Sequence, residues 1–456
     1  MATSKKTGAS EPAIPVARSG SGSCARHRNR GRISSGTPAR IVKILKLLGP
    51  GLITGAADDD PSGIATYSSV GAQFGYAMLW TMPFIYPFMT AIQEISARIG
   101  RVTGRGIAGN LRRYYSRWLL YSIVALLLFA NVINLGADIG AIGAAVNLII
   151  GGPPWLYCVL AAGVSVTLQI MVPYRKYTRV LKWLTISMLA YVATVFVVRV
   201  DWQKAIQGTF WPQISLTPNY LQALVAVFGT TISPYLFFWQ SSEEVEEMQS
   251  GPKKKALKQA PRQGETQLRR IRLDTYTGMA FSNLIAYFII LTVAVTLNAN
   301  GKTDIDSAAQ AAEALRPIAG QFAFLLFSLG IIGTGLLALP VLAGSAAYAL
   351  GEAFNWPVGL GHKARKAKAF YAVIGVATLV GLLLNFIGIN PIQALVWSAI
   401  INGITAAPIM GLMMFMASSR KVMGKFVLPS YLKIFGWLAT LIMALAALGM
   451  LWPSAK

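Results

Sequence analysis

The chain has 456 residues, of which 54% are hydrophobic and only 13% charged, and its net charge is +24. Apolar runs of about 20 residues are the length that crosses a bilayer as a helix, so a soluble enzyme with one large core is excluded. Alternating strand-like patterning is absent, which sets aside a β-barrel. The positive charge would point to nucleic acid in a soluble protein, but here it clusters between apolar segments and reads as membrane orientation.

Residues 1–46 are rich in Arg, Ser, Gly and Pro and hold one acid, Glu11. They lack the apolar stretch of a signal peptide, so we expect a disordered basic cytosolic tail. Eleven spans follow, at 47–75, 77–99, 118–149, 153–172, 181–200, 220–248, 272–297, 318–353, 369–388, 391–416 and 431–453. The transmembrane domain is then 47–453, with a first half at 47–200, a second at 220–416 and an extra helix at 431–453. With the N-terminus cytosolic, 36 of the 41 Lys and Arg fall on inside segments and 5 on outside ones. That asymmetry favours a plasma (inner) membrane protein with N-terminus in the cytosol and C-terminus outside. It also makes 249–271 a cytosolic basic loop, whose charge serves topology and attraction to anionic lipid rather than nucleic acid.

The first span contains "ITGAADDDPSGIATYSS", residues 53–69. Pro61 donates no backbone hydrogen bond and clashes with the preceding turn, and Gly63 weakens the helix further. The carbonyls freed near Ala57 are tolerated in lipid only if they are buried in protein or line a cavity. A membrane proline alone is usually a structural kink, as we read Pro87 and Pro173. An acid near the bilayer centre costs about 2.5–3.5 kcal/mol on insertion scales and so marks function. Here there are three: Asp58, Asp59 and Asp60.

The sixth span, "LVAVFGTTISPYLFFWQSSEEVEEM", is broken at Pro234 after Thr230, Thr231 and Ser233. Spans 1 and 6 open the two five-span halves, and five being odd, the second half is inverted. Paired interrupted helices in matching places mark the binding site of a secondary transporter.

An anionic centre without His or Cys calls for a cation. Asp60 is the expected anchor, with a carbonyl from Ala57, room left by the small Gly63, and oxygens from Thr230 and Ser233. Oxygen-only donors suit hard ions such as Mg²⁺ or Mn²⁺, and Mg²⁺ keeps several of its waters. Asp58 and Asp59 lie on the cytosolic side of Asp60 as a negative exit path or a solvated vestibule. Glu243, Glu244, Glu246 and Glu247 end span 6, where pairing with the basic loop is the preferred reading. Asp138 in span 3 is a second intramembrane acid, near Asn131 and Asn134 at helical spacing; it relays protons, lines the pore or pairs locally. Glu94 pairs with Arg98 at i+4. Gln393 and Asn402 in span 10 are expected to face the central cavity. Gly136, Gly140 and Gly143 read as close helix packing.

"GPGLITGAADDDPSGIAT", "GAQFGYAMLW" and "GTTISPYLFFWQSSEEVEE" resemble the Nramp family of divalent metal-ion transporters over the whole eleven-span body. The resemblance implies an all-α polytopic membrane protein, a LeuT-type 5+5 inverted repeat with discontinuous helices 1 and 6. The family signatures are Asp-Pro-Gly-Asn in helix 1 and Met-Pro-His in helix 6. Here they read Asp60-Pro61-Ser62-Gly63 and Ser233-Pro234-Tyr235. The aspartate ligand carries over. The asparagine does not, the selective thioether becomes a hydroxyl, and the proton-coupling histidine becomes Tyr235. Of two family acids in span 3, one matches Asp138 and the other falls on Leu135. These departures resemble the Nramp-related branch that transports Mg²⁺.

The expectation is therefore a Mg²⁺/Mn²⁺ importer, not an enzyme, working by alternating access with weak or no proton coupling. It holds no cofactor; its partners are the metal ion it carries and the lipid bilayer, and a monomer suffices. The rivals are a proton-coupled Mn²⁺/Fe²⁺ symporter using Asp60 and Asp138, and a cation-coupled amino-acid symporter. A receptor or enzyme is disfavoured, because no nucleophile–base pair, phosphate loop or zinc motif is present.

Overall fold

The computed structural model describes residues 54–55, 57–172, 188–249 and 255–451. The tail at 1–46, part of the basic loop and the start of the fifth span lie outside the described residues. Among those described the regular structure is helical, without strands. The main helices are α1 (Pro61–Phe74), α2 (Thr81–Thr103), α3 (Ile107–Tyr114), α4 (Arg117–Ile150), α5 (Pro154–Met171), α6 (Leu189–Val197) and α7 (Trp202–Phe210). They continue as α8 (Pro218–Thr231), α9 (Pro234–Gln249), α10 (Gly264–Thr296), α11 (Ala323–Phe354), α12 (Lys368–Leu384), α13 (Pro391–Ser418) and α14 (Ser430–Leu451).

By length and composition, seven of the described helical segments can cross a membrane, α8 and α9 counting together as one. Their outer faces are apolar: Leu160 and Val164 on α5, Leu379 and Leu383 on α12, and Leu441 and Leu445 on α14 are exposed. A soluble protein would bury such residues, whereas lipid accepts them. The polar groups go inward instead. On α2, Gln93, Glu94, Arg98 and Arg101 are all buried, and Glu94 accepts from Arg98 Nε at 2.9 Å, the expected i+4 pair.

Helix α4 is the central post, packed against α5, α11, α12 and α13. Its small residues permit the approach: a Cβ on Gly136 would lie 2.7 Å from Gly381 O of α12. Helices α8 and α13 meet as closely, through Gly229 and Gly403. Around the first break, α1 packs against α8, α10 and α13.

Several helix ends shift by a few residues, α2 and α11 among them, and a larger shift falls at the seventh span. Helix α10 starts at Gly264, two turns before the expected 272. The arginines there are not loop charges. Arg270 reaches Glu244 at 2.6 Å and Glu247 at 2.8 Å on α9, and this pairing neutralises the cations and lets the helix continue. The loop before it is pinned by Leu257 N–H to Arg101 O and Lys258 N–H to Val102 O, each at 3.2 Å.

Candidate functional site

Both breaks are helix starts rather than kinks. Asp60 has extended backbone and is the N-cap of α1, accepting from Gly63 N through Oδ1 at 2.8 Å, with Pro61 at the first helical position. Proline suits that position because its missing N–H would be unpaired there anyway, and Asp is among the best caps. Pro234 likewise opens α9. Ser233, just before it, donates to Gly229 O or Thr230 O, both at 2.8 Å, covering carbonyls that the end of α8 leaves free.

The two interruptions touch. Ser62 Oγ and Thr230 Oγ1 are 3.4 Å apart, and a Cβ on Gly63 would lie 3.3 Å from Thr230 Oγ1. A side chain there would need Thr230 or Tyr67 to give way by a few tenths of an ångström. The Tyr235 hydroxyl donates across the gap to Asp60 Oδ2 at 3.0 Å or to Ala57 O at 3.3 Å. Thr54 and Gln240 hydrogen-bond one turn to the other side. The chemistry gathered is thus a carboxylate, a phenol, hydroxyls and backbone carbonyls, all oxygen.

Asp60 is 1% exposed. Burying an ion is costly unless it is paired or hydrogen-bonded, and Asp60 has a third donor, Asn134 Nδ2 of α4, at 3.2 Å. Asn134 in turn takes a hydrogen bond from Ser398 Oγ of α13 at 2.8 Å. From the sequence, Asn134 is named only as a neighbour of Asp138, and Ser398 is not named. The one available signal was that Asn134 lies a turn from Asp138; nothing marked Ser398.

The other expected residues fall in three places. Asp58 and Asp59 are buried rather than solvated, and Ser282 of α10 lies 2.6 Å from Asp58 Oδ2 and 3.1 Å from Asp59 Oδ1. Asp138 is fully buried and interacts electrostatically with Asp60 and with the backbone N–H of Ser62, while no described side chain donates to its carboxylate. Asn402 is buried on α13 beside the Gly229–Gly403 seam, one turn beyond Ser398. Gln393 lies farther out, in the wall of a cavity of about 260 Å³.

That cavity lies against the same helices, α1 and α8, that meet at the breaks. Thr66, Ser69 and Gln73 line it from α1, Asn219 and Gln222 from α8, and Asp304 and Asp306 from the segment after α10. With Ser62 they form a polar stripe at 62, 66, 69 and 73, one face of a helix, descending to Asp60. Among the described residues, no Lys or Arg is in its wall. Among the described residues no three His, Cys, Asp or Glu side chains group as a metal-holding cluster; a cation at Asp60 would meet one anion and neutral oxygens.

The model of the Nramp family, described as natural resistance-associated macrophage protein-like, matches residues 51–453. The chain is 25% identical over 415 residues to the divalent metal cation transporter MntH of Klebsiella pneumoniae (strain 342), covering 89% of this chain and 93% of that one. Its structure is similar to the manganese transporter of Eremococcus coleocola, with a TM-score of 0.71, 16% identity, and 92% and 90% of the two chains covered. It is also similar to MhsT, solved in complex with L-phenylalanine, with a TM-score of 0.57, 13% identity, and 87% and 98% covered. At these identities the structural likenesses speak for the fold, a LeuT-type arrangement with discontinuous first and sixth helices.

Proposed function

The chain belongs to the Nramp family, and from that premise we propose that it carries divalent metal cations, Mg²⁺ and Mn²⁺ foremost, inward across the membrane by alternating access. The observation that carries this reading is the meeting of the two broken helices at Asp60, with Tyr235, Ser62 and Thr230 around it. The ion is cargo. It descends the polar stripe of α1 from the outer cavity, and Asp60 is the charge that attracts it. Ala57 O, Thr230 and Ser233 offer neutral oxygens, while the space beside Gly63 is taken up by Thr230, Tyr67 and the Asp58 carbonyl.

Oxygen donors favour hard ions. A soft thioether would favour later transition metals, and Ser233 stands where the family has one. Tyr235, with a hydroxyl bonded to Asp60, stands in place of the family's histidine. A phenol holds its proton through the physiological range, which supports weak or absent proton coupling. The excess of Lys and Arg in the segments read as inside supports an N-terminus in the cytosol.

The relatives' names cover divalent metals and manganese, and a second reading, proton-coupled Mn²⁺ or Fe²⁺ symport, draws on Asp138. It is buried near Asp60 without hydrogen bonds from described side chains and is a candidate proton carrier. An amino-acid substrate is disfavoured, because three aspartates at the break would repel its carboxylate. Purified protein in liposomes containing a pH-sensitive dye separates these readings. The proposal expects uptake of Mg²⁺ and Mn²⁺ without matching acidification. Acidification in step with Mn²⁺ uptake would favour the second reading, and uptake of neither ion would refute both.

A further inference from the structure

We infer that Asn134 is an amide ligand of the transported ion, and that its side chain turns over between the empty and the loaded state. The inference rests on the reading of Asp60 as the ion's anchor and adds a ligand from a helix that is not broken.

The hydrogen bonds around Asn134 cannot all form at once. Ser398 Oγ lies 2.8 Å from Asn134 Oδ1 and 2.7 Å from Leu395 O, and a hydroxyl has a single proton. When that proton goes to Asn134 Oδ1, the amide presents Nδ2 to Asp60 Oδ2, as in this structure. When it goes to Leu395 O, Ser398 becomes an acceptor. Asn134 can then rotate by half a turn, give Nδ2–H to Ser398, and aim Oδ1 at Asp60 Oδ2. The two amide orientations have nearly the same shape, so the pocket accommodates either.

Two oxygens facing each other at the 3.2 Å now separating Nδ2 from Oδ2 repel unless a cation lies between them. Neighbouring ligands of an octahedral ion with bonds of about 2.1 Å are about 3.0 Å apart. The spacing already present therefore fits a hard divalent ion bridging Asp60 and the turned Asn134.

Tyr235 has the same freedom. Its hydroxyl reaches Asp60 Oδ2 or Ala57 O. Both side-chain donors to Oδ2 thus have a second acceptor or partner close by, while Oδ1 stays fixed by Gly63 N. Oδ2 is the oxygen that can be released to an ion. Asn131, one turn earlier on α4, has no such freedom: its amide donates to Leu342 O at 3.0 Å and Ser345 Oγ at 2.7 Å. The amide missing from the first-helix motif is therefore supplied by α4.

The test uses the full-length protein in detergent, titrated calorimetrically with Mg²⁺, Mn²⁺ and Cd²⁺. Asn134→Leu and Asn134→Met are nearly isosteric and both abolish the N–H donor, but only Met brings a soft ligand. We expect Asn134→Leu to weaken Mg²⁺ and Mn²⁺ binding by about tenfold or more, and Asn134→Met to raise the Cd²⁺/Mg²⁺ affinity ratio at least about tenfold over Leu. Equal ratios in the two variants would show that Asn134 only positions Asp60, and would overturn the inference. If these side chains prevent folding, the smaller pair Asn134→Ala and Asn134→Cys is read in the same way. Wild-type protein that binds none of the three ions would refute the anchoring role of Asp60 instead.

Discussion

Replacing Asp60 by Asn separates what this residue does for the fold from what it does for the ion. Asp60 caps α1 through Gly63 N at 2.8 Å and accepts from Tyr235 at 3.0 Å and Asn134 at 3.2 Å. Hydrogen bonds to a charged group contribute about 1.5–3 kcal/mol each, and together these offset the cost of burying the carboxylate. Asn is as good a cap as Asp, and its amide no longer carries a buried charge, so the gain and loss nearly cancel. We expect stability to change by no more than about 1–2 kcal/mol.

The effect on the ion is far larger. A carboxylate about 2.1 Å from a divalent cation attracts it by about 16 kcal/mol at an effective dielectric of about 20, most of it spent on stripping water from both. If about 3 kcal/mol survives as net affinity, its loss raises Kd about 150-fold. Calorimetric titration with Mg²⁺ and Mn²⁺, beside a thermal melt of the same sample, measures both quantities. Asp60→Asn protein that melts like wild type and binds within about tenfold of it would refute the reasoning.

Three further outcomes follow from packing and charge. Gly229→Ala would drive a Cβ into Ala399 O and Gly403 N and to 2.7 Å from Gly403 Cα; overpacking of this kind costs about 1–3 kcal/mol, so we expect a lower melting temperature and slower uptake, and an unchanged melt would contradict the close seam. Arg270→Gln strips Glu244, whose side chain is fully buried, of its ion-pair partner; an unpaired buried charge costs about 3–5 kcal/mol, and Glu244→Gln in the same chain should restore much of the lost melting temperature. Asp304→Asn with Asp306→Asn removes the negative charge of the cavity beside α1; KM for the ion should rise several-fold at low salt, with the maximal rate unchanged, and the difference should shrink in about 0.5 M salt as screening takes over.

Much of this architecture was legible in the sequence, because lipid leaves a helix few choices. Apolar runs gave the spans, and Pro61 and Pro234 gave the interruptions, since proline after a polar run starts a helix as readily as it ends one. Asp60 was legible because a buried acid beside proline has few purely structural uses. Contacts between helices were not. Ser282, Ser398 and Asn134 sit on three different helices, and nothing in their own periodicity says that they converge on the break in the first span. The early start of α10 was hidden for the same reason: Arg270 looks like loop charge until Glu244 and Glu247 stand opposite it.

The central claim is that the ion sits where the two interrupted helices meet. Crystals grown with Mn²⁺ and measured at a wavelength where manganese scatters anomalously test it directly. The account requires an anomalous peak in bonding range of Asp60 Oδ2, between α1 and the end of α8. A manganese peak elsewhere in the membrane-spanning part, with Asp60 still held by Tyr235 and Asn134, would contradict it.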